Sequence, residues 1–422
     1  MAKILISFVG TGSLLPDKAD DKNHLKSARE YRVADYHLGQ EDLGKHSFVA
    51  GAITGHCEID KVVLIGTVHS MWEEVYRYFC EKNGLEIDEN AYCDISEYCE
   101  KATSDSQLNI PHKDKIEAAL GKDSHVLLIK YGASEEEIND NISIVLGLNN
   151  LINTGDEIVV DITHSFRSLP IVVMNLLLYL TTVSNKKPVI SHIYYGMMEM
   201  IKELGYTPIV DLIKIQELNK WIVGASAFKN YGNAYQIAEL LKGVDTDSAN
   251  RLKQFSDILN LNHLDKVEKE IDRLRRVKAK NYDSLLPELT VKPVVNDFLK
   301  QFGTVGDNHA LFQYNLAKWQ FGNMNYALSL ISLQESILTY ACQLAEKDWE
   351  NQSQRQKVKD TIMAKKSELP EELSKCYNDV RELRNCVAHS LKMDNSPKNI
   401  ISTLRKKLDL AGKYITKSAD PF

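Results

Sequence analysis

Short apolar runs recur through the first half of the chain, and most lead into a turn rich in glycine or hydroxyl residues. They cover residues 4–9, 61–66, 124–130, 156–160 and 189–195. Strands that are apolar throughout, rather than in alternation, are typical of a sheet covered on both faces. Helix-like stretches fill most of the intervals between them. The pattern therefore predicts a doubly wound, mostly parallel sheet of the α/β Rossmann-like class.

The second half of the chain has a different pattern, in which strand signals become rare after about Tyr206. Helical periodicity covers residues 226–242, 250–279, 311–346, 356–366, 371–390 and 398–415, with helix breakers such as Pro287, Pro293 and Pro370 between these segments. We predict an α/β domain over residues 1–205, a helical linker region over 206–300 and an all-α domain over 301–422. Residues 20–46 are polar and do not fit a plain loop, so we expect an inserted hairpin or long loop there.

Charge is distributed unevenly between the two halves. The chain of 422 residues has a net charge of −7. Residues 1–205 hold 19 Lys and Arg against 31 Asp and Glu, a balance of −12, and residues 206–422 hold 32 against 27, a balance of +5. The acidic total argues against a protein that binds duplex nucleic acid through a broad basic surface. A polyanionic partner, if the chain has one, is expected at the second half.

Cysteine usage and hydropathy indicate where such a chain would reside. The seven cysteines are an odd number and contain no CxxC pair, so neither a zinc site nor a disulfide framework is expected. No apolar run approaches the ~20 residues of a membrane span, and the first ten residues do not resemble a signal peptide. We therefore expect a soluble cytoplasmic protein without a metal and without membrane contact.

Two strand ends in the first half could bind an anion. Gly10-Thr11-Gly12-Ser13 lacks the third glycine of a dinucleotide fingerprint, so it is either a phosphate-binding loop or only a tight βα turn. The block from Asp161 to Pro170 places Thr163, His164, Ser165 and Arg167 where a strand ends and a helix begins. A positive helix end suits an anion. The alternative is a capped helix whose Arg167 pairs with a nearby carboxylate.

A third candidate site lies late in the helix predicted over residues 371–390. Arg384, Asn385 and His389 stand there, with Arg384 and His389 five residues apart and thus about 140° apart around an ideal helix. Arg can fork two phosphate oxygens, and a histidine near a helix C-terminus tends to be protonated and ready to act as an acid. RNA carries its own 2′-OH nucleophile, so this pair would need no metal. The alternative is a solvated arginine and a histidine that merely ends the helix.

Taken together, these motifs resemble a known family. The first half is similar to the CARF sensor domains of type III CRISPR systems, through residues 4–12, Gly66-Thr67 with Ser70-Met71-Trp72, Asp161–Pro170 and Tyr194-Tyr195-Gly196 with Glu199. The second half resembles a HEPN ribonuclease domain through the run from Arg384 to His389. Residues 20–46 and 226–300 match the family pattern poorly.

The resemblance implies a homodimer that binds a cyclic oligoadenylate and then cuts single-stranded RNA, with no cofactor beyond this allosteric activator. Its sensor pocket would contain Gly10, Thr11, Gly12, Ser70, Thr163, His164, Ser165 and Arg167. Its nuclease site would contain Arg384, Asn385 and His389. Two alternatives remain: a ring nuclease that degrades the cyclic signal while the helical half dimerises, and a small-molecule Rossmann enzyme with a helical lid.

Overall fold

The computed structural model describes residues 1–13, 31–164, 168–302, 308–389 and 396–416. The chain forms two compact units, Met1–Asn219 and Lys220–Phe422. The first combines a sheet with helices, and every described element of the second is a helix. This confirms the predicted order of an α/β domain followed by a helical region. The predicted borders at residues 205 and 300 stay predictions, although the sheet continues past residue 205.

The first unit contains eight strands and eight α-helices, the last of which continues into the second unit. The strands are β1 Lys3–Val9, β2 Ala34–Leu38, β3 Glu41–His46, β4 Lys61–Gly66, β5 His125–Leu128, β6 Glu157–Asp161, β7 Val189–Gly196 and β8 Thr207–Asp211. The helices are α1 Val49–His56, α2 Trp72–Lys82, α3 Glu89–Lys101, α4 Lys113–Leu120, α5 Glu135–Gly147, α6 Leu169–Thr182, α7 Ile201–Leu204 and α8 Ile213–Tyr231, and the 3₁₀ turns are Leu148–Leu151 and Met198–Met200.

All eight strands form one sheet in the order β3-β2-β8-β7-β6-β1-β4-β5. The apolar runs predicted as strands form its centre, where β1 pairs in parallel with both β4 and β6. Residues alternate between the two faces of β1: Leu5 packs into the core on one face, and Ile4 and Ile6 pack into the core on the other. A sheet buried on both faces explains why these runs are apolar at every position.

One edge of the sheet departs from the parallel pattern. β2 and β3 form an antiparallel hairpin, in the region where an insertion was expected, and β2 pairs in parallel with β8. β8 runs antiparallel to β7. The sheet is therefore mostly parallel, as predicted, with antiparallel pairs confined to this side.

The second unit continues from α8 through nine further described helices. They are α9 Tyr235–Leu241, α10 Thr246–Asn260, α11 Leu264–Ala279, α12 Leu285–Phe302, α13 His309–Gly322, α14 Tyr326–Leu344, α15 Gln352–Met363, α16 Glu371–Ala388 and α17 Pro397–Ile415. One core cluster collects around Phe228, Phe255 and Phe298, and another around Leu333 and Tyr377. α16 reaches the second cluster through Tyr377 and Val380, which fixes the helix that carries the candidate nuclease residues.

Two details of the helical prediction were wrong. Pro287 and Pro293 were expected between helices, but both lie within α12. Pro287 stands in the first turn, where backbone N–H groups have no partner in the helix. Pro293 stands in the interior, where Val291, Val295 and Phe298 of the same helix are almost completely buried, and this burial offsets the hydrogen bond that proline removes.

Candidate functional site

A cleft of about 600 Å³ opens at the carboxyl ends of β1, β4 and β6, where the connections of a doubly wound sheet diverge. Six of the eight predicted sensor residues line it: Gly10, Thr11, Gly12, Ser70, Thr163 and His164. Ser165 and Arg167, the other two, lie outside the described residues. Two strand ends that are 150 residues apart in sequence thus meet in one cavity.

The loop after β1 requires glycine at position 12. Gly12 has a φ of +68°, in the left-handed region that side chains rarely adopt. A Cβ there would lie 2.5 Å from Cδ1 of Tyr31 and 2.9 Å from Sδ of Met71. The loop therefore passes close to its neighbours with its backbone exposed to the cleft, an arrangement that suits backbone N–H donation to an anion.

Ser70 joins the loop after β4 to the end of β1. Its hydroxyl donates to the carbonyl of Val9 over 2.7 Å, and its side chain is almost completely buried. The indole of Trp72 donates to the carbonyl of Thr67 over 2.8 Å and closes the same loop from the other side. Because Ser70 donates its hydroxyl proton to the backbone, it can offer a ligand only its acceptor lone pairs.

A buried carboxylate organises the loop after β6. Asp161 is inaccessible to solvent, and its Oδ2 accepts from the Ser7 hydroxyl over 2.5 Å. Its Oδ1 accepts from the Thr163 backbone N–H over 2.9 Å and from the Thr163 hydroxyl over 2.6 Å. The Thr163 hydroxyl oxygen in turn accepts from the backbone N–H of Gly196 over 2.8 Å. Burial raises the pKa of Asp161, although these donors oppose the shift.

His164 lies next to this network and contacts the start of α1. Its Nε2 accepts from the backbone N–H of Val49 over 3.4 Å. Burial lowers the pKa of His164, and the nearby Asp161 opposes this only in part. The imidazole is therefore neutral with its proton on Nδ1, since Nε2 faces a group that can only donate.

The structure adds cleft residues that the sequence did not assign to the site. Ser13, Arg32, Ser47, Thr67 and Met198 also line the cavity. The backbone N–H of Arg32 donates to the carbonyl of Ser13 over 2.7 Å, which places the start of the hairpin segment at the cleft rim. Arg32 is exposed, and its guanidinium has no ion pair within the described part of the chain. Arg32 lies in the polar segment 20–46, where an insertion was expected. No strand pattern in that segment indicated that Arg32 would lie beside the loop after β1.

The helical unit places the other three predicted residues near the C-terminal end of α16. The Arg384 Nε–H donates to Oε1 of Gln334 on α14 over 3.2 Å. His389 caps the helix, is exposed, and donates its backbone N–H to the carbonyl of Asn385 over 2.9 Å. A cleft of about 560 Å³ between α14, α15 and α16 includes Arg384 in its lining but neither Asn385 nor His389.

The described residues contain one group with metal-ligand geometry, on the hairpin. Asp35, His37 and Asp42 bring one potential ligand atom each to within 4.8 Å of the others. His37 Nε2 lies 3.8 Å from Asp35 Oδ1 and 3.9 Å from Asp42 Oδ1. None of the three lines the cleft or lies on α16, so this group does not bear on either candidate site. Among the described helices, none has the length and hydropathy to cross a membrane.

Comparison with known proteins identifies the first unit. Residues 4–199 match the sequence model of the CARF domain of the CRISPR system endoribonuclease Csx1. Residues 217–308 match the second domain of the CRISPR-associated protein MJ1674. This second match covers all of residues 226–300, the segment that matched the family pattern poorly in the sequence.

Two individual proteins illustrate the similarity. CRISPR-associated protein MJ1674 of Methanocaldococcus jannaschii is 33% identical over 362 residues, which cover 82% of this chain but 54% of the relative. The chain thus spans about half the length of that curated relative. A solved structure of Enterococcus italicus Csm6 bound to cyclic hexa-2'-fluoro-hexa-dAMP aligns with 99% of this chain and 98% of its own, at 14% identity and a TM-score of 0.34. That score is too low to compare sites.

These matches agree with the features already described. The CARF model covers β1 to β7 and the loops after β1, β4 and β6 that build the cleft. The MJ1674 match continues from the sheet into the helical unit. The chain is a CARF-containing ancillary protein of type III CRISPR systems.

Proposed function

We propose that this protein is a metal-independent endoribonuclease that cuts single-stranded RNA in antiviral defence after its CARF cleft has bound a cyclic oligoadenylate. The observation that carries the proposal is the cleft, in which residues from the ends of β1, β4 and β6 converge. The description of the matching family, which names an endoribonuclease, supports it.

The chemistry of the cleft suits a ligand with several phosphates and several bases. Backbone N–H groups around Gly10–Gly12 and the guanidinium of Arg32, which has no ion pair among the described residues, offer donors to phosphates without a broad basic surface. Val33 and Met198, which are 58% and 39% exposed, supply apolar surface for bases. An acidic domain can bind a polyanion in this way because a few local donors outweigh the distant field.

The proposed nuclease chemistry needs only groups from the chain and the RNA. His389 would move a proton at the attacking 2′-OH or the leaving 5′-oxygen. Arg384 would stabilise the negative charge that develops on phosphorus, and Asn385 would orient His389 or the phosphate. The step forms the bond from the 2′-oxygen to phosphorus and breaks the bond to the 5′-oxygen, leaving a 2′,3′-cyclic phosphate and a 5′-hydroxyl.

A homodimer is part of this proposal. On one α-helix Arg384 and His389 point about 140° apart, so a second copy would complete each site.

The proposal is tested by incubating the purified full chain with labelled single-stranded RNA and cyclic oligoadenylates of different ring sizes. We expect cleavage with one ring size, unchanged in excess EDTA, and products that end in a cyclic phosphate. No cleavage with any ring size, or a loss in EDTA that a divalent ion restores, would contradict it. Light scattering across a dilution series measures the oligomer.

A ring nuclease is the second candidate, and His164 is the residue that would favour it. Its position in the cleft is suitable, but its Nε2 already accepts a backbone N–H and its Nδ1 carries the proton. His164 therefore has no acceptor nitrogen left with which to remove a proton from a ligand. Incubating the activator with the protein and following its integrity separates the two activities; breakdown abolished by His164→Ala would establish the second.

A further inference from the structure

The cleft between α14, α15 and α16 has an excess of positive charge in a chain that is acidic overall. Arg355, Lys359 and Arg384 line it, and Glu335 is the only carboxylate in the lining. Arg355 is fully engaged: its Nη2 lies 2.5 Å from Glu335 Oε2, and its Nη1 donates to the Thr339 hydroxyl over 3.0 Å. Lys359 and Arg384 therefore remain as the uncompensated charges.

Lys359 is positioned to bind rather than to support the fold. It is half-buried in the cleft wall, and it forms no hydrogen bond or ion pair within the described part of the chain. Most other lysines of the helical unit that contact no carboxylate are exposed, unlike Lys359. A half-buried ammonium beside a cavity, with no carboxylate to neutralise it, attracts an anion.

Arg384 is held in the same cleft by a buried amide. Gln334 is 3% exposed, and its Oε1 accepts from Arg384 Nε while its Nε2 faces the Tyr377 hydroxyl over 3.5 Å. Tyr377 is inaccessible to solvent and anchors α16 in the core. These contacts fix the Nε edge of the guanidinium. Among the described residues its two terminal nitrogens have no hydrogen-bond partner, so they can fork an anion.

We propose that this cleft is a phosphate-binding subsite for the RNA strand, in which Lys359 contacts a backbone phosphate and Gln334 positions Arg384. The inference rests on the proposed function, because it takes RNA as the substrate. RNA supplies the required ligand chemistry, a flexible string of phosphates that can place one group at Arg384 and the next ones along the cleft.

The Lys359 contact is tested by binding rather than by cleavage. In the full chain carrying His389→Ala, which keeps the RNA intact, affinity for a short fluorescein-labelled single-stranded RNA is measured by anisotropy at several salt concentrations. Loss of one phosphate contact should weaken binding and reduce the slope of log affinity against log salt by about 0.7. Lys359→Ala should show this change. Lys357→Ala removes the same charge from the same helix outside the cleft and should not.

The positioning role of Gln334 is tested by its near-isosteric replacement. Gln334→Met should reduce kcat for RNA cleavage about 10-fold or more with little change in KM, since it frees Arg384 without removing it. Gln343→Met is the matched control, nine residues later on α14 and thus on the opposite side of the helix. If Gln334→Met does not melt cooperatively, the RNA-binding experiment on Lys359→Ala tests the subsite by itself, because Lys359 is not in the core.

The outcomes distinguish a failure of the proposed subsite from a failure of the proposed function. Equal salt slopes for Lys359→Ala and Lys357→Ala would overturn the subsite even if RNA is cut. Equal kcat values for Gln334→Met and Gln343→Met would overturn the positioning role. Full activity of His389→Ala would instead remove the proposed nuclease site, and the binding experiment would then be run without the cyclic oligoadenylate so that the RNA stays intact.

Discussion

His389 is exposed at the end of α16, and the chain can lose its imidazole without losing core contacts. His389→Ala should therefore leave the melting temperature unchanged but lower activated RNA cleavage by about 100-fold or more, the usual contribution of a general acid–base. Cleavage rates at saturating activator measure the effect. His263→Ala, which removes another exposed histidine of the helical unit, serves as the control and should cut at the parent rate.

Thr163 is the residue through which Asp161 shapes the sensor cleft. Thr163→Val keeps the side-chain shape but removes the hydroxyl that donates to Asp161 and accepts from Gly196 N–H. Leaving these buried partners unsatisfied should lower the free energy of unfolding by about 1–3 kcal/mol and weaken activator binding. Denaturant unfolding and a binding titration measure the two effects. The same substitution at the exposed Thr182 is the control; equal effects at both positions would argue against a special role for Thr163.

At the scale of single elements, α16 carries two cysteines in opposite environments. Cys376 is inaccessible to solvent, and burial raises its pKa to about 12, whereas Cys386 is exposed. At pH 8 Cys376 therefore stays protonated and shielded, since only the thiolate reacts. Mass spectrometry after brief alkylation should find Cys386 modified and Cys376 intact until denaturant is added. Modification of both at similar rates in native buffer would mean that α16 does not pack as described.

The sequence predicted the central strands well because both of their faces are buried. β1, β4 and β6 are apolar at almost every position, and the turns after them carry the motif residues that meet in the cleft. β8 was missed, because its sequence Thr-Pro-Ile-Val-Asp is short and contains a proline. Its place in the sheet depends on pairing with β7 and β2, which lie far away in sequence.

Helix boundaries were harder to predict than helices. The periodic segments 250–279 and 311–346 each contain two helices, separated at Asn262 and Met324, both of which have positive φ. A left-handed residue ends a helix without interrupting its hydrophobic periodicity. Similarly, the link from Gln334 to Arg384 spans 50 residues and has no local sequence signal.

For the whole molecule, the proposed function places activator binding and RNA cleavage in different compact units. Arg167 lies outside the described residues, and its proposed role as a hydrogen-bond donor to a ligand phosphate rests on the sequence. If that role is correct, Arg167→Ala should shift the activation curve to higher activator concentration by about 1–3 kcal/mol of binding energy, with the plateau rate nearly unchanged. Cleavage rate against activator concentration checks this.

A different activation curve would contradict the proposed role of Arg167. An unshifted curve with a collapsed plateau would place Arg167 in the catalytic machinery and would reject two separate sites. Lys187→Ala, a change of the same charge in the loop before β7, provides the reference curve.

The hairpin edge of the sheet connects the cleft rim with β8, the strand that precedes α8. Arg32, Val33 and Ala34 at the cleft rim run straight into β2, which is bonded to β8 through the pairs Tyr36 with Thr207, His37 with Pro208 and Leu38 with Ile209. β8 is the last strand before α8, the helix that carries the chain into the second unit. If a bound ligand displaced the rim inward, β8 would either move with β2 or lose its hydrogen bonds to β2. A displacement of the rim would thus reach the start of α8 across two neighbouring strands.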